Sequence, residues 1–375
     1  MLKMILFDVD GVLLSEERYF DASALTVWEL LISPNYLGLN KEGFSPSPKE
    51  QEIRRLRETV FAQDEVLDFM KTRGINANWD MVYLSFAHQL IRLMEGIKDT
   101  HQEEIESLLS QEIERESIQK LGKLLGNNTS SLDYVSFIAD FKVSRAEKQE
   151  LLLYLNDLAE LRLGVKTTVF GRNSKLWELC QETFQEWYLG DDLVAQDIGR
   201  ETYQKGKKGF LSDEIPIVPP KEMAETLAIL KDKGIILGIG TGRPSIETLV
   251  PLEEMGLLQY FDPDRIVTAS HVLTAEQEYP DHAPLAKPQP FTYVKGWLSL
   301  AVANQECMEY ALPLINGEEL LIVGDSIADY MAAKSMGCRF AATLTGLTGQ
   351  EAREKFIQLK ADYILNDMRE VRSIV

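Results

Sequence analysis

The run IILGIGT, Ile235–Thr241, carries no alternation of polar and apolar residues, and neither does LLIVG, Leu320–Gly324. A strand with one wet face alternates; a strand without alternation is covered on both faces, which is the signature of a parallel sheet between helices. The surrounding chain agrees. KEMAETLAILKDKG reads as a helix closed by Gly234, a second helix starts after Pro244, and IADYMAAKSMG is a helix closed by Gly337. RIVTA, RFAATL and ADYIL read as further short strands. Strand and helix thus take turns from IPIVPPKEM to the last residue, as in a doubly wound α/β sheet.

A further apolar strand, Leu2–Phe7, stands about 200 residues upstream of this region. What lies between reads almost entirely helical. DASALTVWELLI places Leu25, Trp28 and Leu31 or Ile32 on one face. In NSKLWELCQETFQEWYL, Asn173 or Ser174 would cap a helix with Leu176, Leu179, Phe184 and Trp187 inward. Breaks are expected at Asn35–Leu39, Ser45–Pro48, Gly126–Ser131 and Gly206–Gly209. The expected fold is a Rossmann-like, doubly wound parallel sheet core, residues 1–14 and 216–375, with a large all-α domain, residues 15–215, inserted after the first strand.

The chain has 375 residues and a formal net charge of -20. That charge disfavours nucleic acid and anionic membrane as partners, since both need a basic surface. It leaves open a small anionic ligand, which needs only a local positive site. Cys180, Cys307 and Cys338 have no metal-ligand spacing and read as free thiols in a reducing compartment. With no signal peptide and no membrane span in evidence, the expected location is cytoplasmic.

Ligands of open parallel sheets bind beyond the carboxyl ends of the strands. Asp8, Asp10 and Gly11 follow the first strand, Thr241 and Gly242 follow IILGIG, and Asp325, Ser326 and Asp329 follow LLIVG. LAKPQPF presents Lys287 just before a helix that Pro290 could start. Carboxylates gathered at one edge repel and raise each other's pKa unless a cation sits among them. Hard oxygen ligands point to magnesium, which keeps waters for a phosphate. A lysine and a hydroxyl beside it suit a phosphoryl group. An aspartate can attack phosphorus, and a second carboxyl can protonate the leaving oxygen and then activate water.

DVDGV, GTG, AKP and GDSIAD, in that order, resemble the four motifs of the haloacid dehalogenase superfamily. The resemblance implies that Asp8 is the nucleophile and Asp10 the general acid and base. It implies that Thr241, with Gly242, binds the phosphoryl group and that Lys287 neutralises nucleophile and phosphate. Asp8, Asp10 through its backbone carbonyl, Asp325 and Asp329 would form the magnesium site, with Asp329 orienting Lys287 or a bound water. An aspartate at position 10 separates this chain from the dehalogenases and the transport ATPases of the superfamily. It implies a magnesium-dependent phosphatase acting on a small phosphorylated metabolite through an aspartyl-phosphate. A phosphomutase acting on a sugar phosphate and a non-catalytic partner-binding protein are the alternatives. The insertion resembles the first-position caps of the phosphoglycolate phosphatase and β-phosphoglucomutase branch, although it is far larger. Ser15 and Glu16 stand where many members of that branch carry Asp-Ser. The substrate and the oligomeric state stay open.

The remaining polar features read as solvated. Arg243 is expected in water, as are Lys207 and Lys208 of GKKG and the arginines of RRLRE, Arg54, Arg55 and Arg57. His271 and His282 lack a partner ligand for a metal. Trp177, Phe184, Trp187 and Tyr188 read as helix core.

Overall fold

The computed structural model describes residues 2–40, 43–75, 77–126 and 132–375. The break expected at Gly126–Ser131 therefore lies, from 127 onward, outside the described residues. The chain divides into two compact units, Met1–Glu16 with Leu211–Val375, and Glu17–Phe210.

The first unit holds one six-stranded sheet: β1 (Met4–Phe7), β2 (Ile236–Gly240), β3 (Ile266–Val267), β4 (Leu320–Gly324), β5 (Arg339–Thr343) and β6 (Tyr363–Leu365). The order is β3-β2-β1-β4-β5-β6 and every pairing is parallel. β1 is shorter than expected from sequence, starting at Met4 rather than Leu2, and β3 shrinks to two residues. Successive side chains point to opposite faces, and both faces are filled. Ile5, Phe7, Leu237, Ile239, Leu321 and Val323 join one apolar core; Met4, Leu6, Leu320, Ile322, Phe340 and Ala342 join the other. This is why the strands lack polar alternation. The register pairs Phe7 with Ile239 on one side and Val323 on the other. Asp8, Thr241 and Asp325 consequently leave three adjacent strands at the same edge.

The second unit is helical. Its central helix, Glu17–Ile32, packs against the helices Glu50–Val60, Asn78–Glu95 and Lys175–Leu189. The sequence suggested a single inward face, but every residue from Arg18 to Ile32 is buried. A helix enclosed on all sides must satisfy its polar groups internally. Ser23 and Thr26 do so by donating to the carbonyls of Tyr19 and Ala22, at 2.8 and 2.7 Å. Ser174 caps the helix Lys175–Leu189 by accepting from the Trp177 N–H. Trp177, Phe184, Trp187 and Tyr188 are buried, as a helix core requires.

Two solvated readings are overturned here. Arg57 is half-buried: it binds Asp64 at 2.6 Å and its guanidinium lies 5.2 Å from the centre of the Phe20 ring. Lys207 is enclosed completely, 2.7 Å from Glu29 Oε2 and 2.5 Å from Glu186 Oε2. Glycine makes this possible. Gly190 and Gly209 have φ of +76° and +80°, and a Cβ on either would meet backbone of the other segment at 2.6 Å. The chain therefore doubles back against the helix end, with Phe210 N–H donating to Tyr188 O and Asp191 N–H to Lys207 O. Sequence marked a turn at GKKG; only the close approach of backbone to backbone draws Lys207 inward.

Burial pushes Glu29 up from 4.5 to about 7, against the pull of Lys207. The native state thus binds this proton more tightly than the unfolded chain. The associated stability is full below pH 4.5 and is lost as pH rises to about 7. It amounts to on the order of 3 kcal/mol. Calorimetry should show wild type losing thermal stability relative to Glu29→Gln between pH 5 and pH 7. Parallel curves would count against a buried, titrating Glu29.

Candidate active site

The turn after β1 is tight. Leu13 and Leu14 N–H groups both donate to Val9 O, and Gly11 N–H donates to Leu14 O at 2.8 Å. Gly11 takes φ +67°, a conformation that side chains disfavour. Asp8 stands at the mouth of this turn, only 6% exposed, accepting from the Val9 N–H at 2.8 Å. Lys287 Nζ lies 2.9 Å from Asp8 Oδ1 and 2.7 Å from Asp329 Oδ1.

Asp329 is fully buried and its carboxylate is surrounded by donors. Oδ1 accepts from Lys287 and from the Tyr293 hydroxyl at 2.6 Å; Oδ2 accepts from the Ser326 hydroxyl at 2.6 Å. Ser326 in turn accepts from the Asp329 N–H and caps the helix Ile327–Met336. Burial alone would raise the Asp329 pKa, but Lys287, Ser326 and Tyr293 together hold it below the ordinary value. Asp8 goes the other way. Burial, then the charges of Asp329 and Asp10, raise it well above the usual range despite Lys287. Burial opposes the Lys287 charge as well, yet Asp329 and Asp8 outweigh it and keep the ammonium protonated.

Asp325 completes the group. Ligand oxygens of Asp8, Asp325 and Asp329 all lie within 4.8 Å of one another. Two glycines hold space for Asp325: a Cβ at Gly11 would sit 2.3 Å from Asp325 Oδ2, and one at Gly346 would sit 1.9 Å from it. Thr343 and Thr345 hydroxyls donate to Gly11 O. The loop after β5 is thus a fifth contributor that sequence reading missed. Its only trace there was a strand running into small and hydroxylic residues, TLTGLTG.

Thr241 is buried directly after β2, and its hydroxyl accepts from the Arg243 N–H at 3.1 Å. Gly242 is exposed, and a Cβ there would touch nothing within 4 Å. Asp10 is brought to the same turn, but its side chain is not in the acidic group; it pairs with Arg243 at 2.7 Å. Arg243, expected in water, is 1% exposed. Its burial follows from carboxylates on both sides, Asp10 and Glu214, which no local sequence pattern announces. Tyr293 was also missed. Its ring fits because Gly240 has no Cβ, which would lie 2.6 Å from it. His271 serves a capping box with Thr268. Among the described residues, no histidine joins the acidic group, and no helix is long and apolar enough to cross a membrane.

The family model described as haloacid dehalogenase-like hydrolase matches residues 2–337. An X-ray structure from a structural genomics consortium is 36% identical, covers 100% of this chain and 98% of its own, and superposes with a TM-score of 0.85. A phosphoglycolate phosphatase of Neisseria meningitidis is 25% identical over 202 residues, spanning 50% of this chain and 75% of that protein. The parallel sheet, the lysine-bridged aspartates and the match over residues 2–337 lead to one conclusion: the chain belongs to the haloacid dehalogenase-like hydrolases.

Proposed function

We propose that this hydrolase is a phosphatase that cleaves a small phosphorylated metabolite through an aspartyl-phosphate on Asp8. The observation that carries the reading is Lys287 bridging Asp8 and Asp329 at the end of β1, with the Asp325 carboxylate beside them. A buried carboxylate held at 2.9 Å by a lysine is poised for attack on phosphorus. A carboxylate Oδ of Asp8 forms the new P–O bond while the ester P–O bond breaks. The departing oxygen takes a proton from Asp10. Asp10 then accepts a proton from water as that water attacks the phosphorus of the acyl phosphate, which releases phosphate and restores Asp8. Thr241 and Lys287 offer a hydroxyl and a positive charge to the phosphoryl oxygens.

The residues fit a hard divalent cation. The side chains gathered there offer carboxylate oxygens, and Gly11 and Gly346 leave the Asp325 carboxylate its space. Asp8 and Asp325 would hold magnesium, with the Asp10 carbonyl. Asp329 already accepts from Lys287, Tyr293 and Ser326, so it would act through Lys287. Bound there, magnesium would supply the positive charge that relieves carboxylate repulsion and balances the phosphoryl oxygens.

The test is phosphate release from a panel of phosphorylated small molecules, with magnesium and with chelator. Phosphoglycolate comes first because the Neisseria relative is named for it. Magnesium-dependent release supports the reading. Isomerisation of a sugar phosphate without release would favour a mutase, and silence across the panel would sink both. Within the active enzyme, Gly346→Ala should raise the magnesium concentration for half-maximal activity about 10–100-fold, the usual effect of disturbing a ligand's support. An unchanged titration would remove Asp325 from the metal site.

A further inference from the structure

Arg243 spends a buried guanidinium on the turn after β1. Its Nε donates to Asp10 Oδ1 at 2.7 Å, and its Nη2 lies 2.7 Å from the same oxygen. On the opposite edge, Nη1 donates to Glu214 Oε1 at 2.6 Å. Longer contacts of 3.4 Å reach the carbonyls of Glu247 and Ser15. Glu214 is itself enclosed, its side chain 0% exposed, while the Asp10 side chain is 25% exposed. Desolvating a guanidinium is costly and is offset only by directed partners. A planar fork held by a buried glutamate at one edge is a rigid object at the other.

We propose that Arg243 is a positioning residue for Asp10. The inference rests on the phosphatase reading above, in which Asp10 moves the proton. Two N–H donors converge on Oδ1, so a proton carried by this carboxyl belongs on Oδ2. The fork thereby decides which oxygen hands the proton to the leaving group and where that oxygen stands. Glu214 fixes the fork from behind and takes a share of its charge. Neither residue needs to touch the substrate.

A tie that merely holds the turn together would affect all substrates alike. Positioning of the acid would not. An alkyl phosphate must release an alkoxide and needs the proton; p-nitrophenyl phosphate releases a stable phenolate and does not. The deciding quantity is kcat/KM, which reports the steps up to release of the leaving group and is blind to the later attack of water. Arg243→Lys keeps a charge beside Glu214 and abolishes the fork. It should lower kcat/KM about 100-fold on an alkyl phosphate, the scale of a misplaced catalytic group. On p-nitrophenyl phosphate the loss should stay under about threefold, because little acid catalysis is at stake there. Equal losses on both substrates, or none on either, would overturn the proposal. If Arg243→Lys does not fold, Glu214→Gln loosens the same guanidinium from its far edge and is judged by the same ratio. Asp10→Asn is the reference: it must show the same selectivity. If it loses both substrates equally, Asp10 is not the acid, and the reading of the site fails rather than the placement of Arg243. A wild type that cleaves neither phosphate removes both.

Discussion

Asp8→Asn should lower turnover by at least about four orders of magnitude, the scale seen when a covalent nucleophile is removed. The exchange keeps the shape of the side chain and an oxygen for the Val9 N–H. It takes away the negative charge that, in the proposed mechanism, attacks phosphorus. Stability should move differently from activity. Burial raises the Asp8 pKa well above the usual aspartate value, so the ionised form costs the fold free energy at neutral pH. The thermal midpoint of Asp8→Asn, measured without divalent cation at pH 7, should therefore be no lower than that of wild type. Lost turnover with a retained midpoint separates chemistry from folding. Turnover within tenfold of wild type would remove Asp8 as the nucleophile.

Lys287→Met should have the largest effect on stability. It leaves two buried carboxylates, Asp8 and Asp329, close together without the ammonium that now lies within 2.9 and 2.7 Å of them. Removing one partner of a buried ionic group typically costs about 3–5 kcal/mol. The pH dependence has a definite sign. Lys287 holds the Asp329 pKa down, so its stabilisation is full near neutrality and is lost as acid protonates the carboxylates. The deficit of Lys287→Met in urea unfolding should be large at pH 7 and smaller at pH 3, below the ordinary aspartate value of 3.8. Equal stability of the two proteins at pH 7 would mean that water screens the pair, against the 12% exposure of the Lys287 side chain.

The reach of sequence differs between the strand ends and the buried charges. Asp8, Thr241 and Asp325 were legible because each follows an apolar run without alternation. In a parallel sheet the residue after a strand lies at one shared edge, so chain order already implies place. Lys287 was legible from the fixed loop before its helix, and the buried aromatic residues of Lys175–Leu189 from helical spacing. Arg243, Lys207, Tyr293 and Gly346 were not legible in this way. Arg243 meets Asp10 across 233 positions of chain, and Tyr293 meets Asp329 across 36. A charged side chain reads as solvated unless its partners are known, and those partners are brought by tertiary packing alone. The same holds for Gly346, whose missing Cβ matters only because Asp325 arrives from another loop. Sequence by itself determined the parallel sheet and the loops that meet at its carboxyl edge, because periodicity and chain direction are local. The tertiary structure decided which charges are buried and paired, because desolvation depends on whatever comes to surround a group.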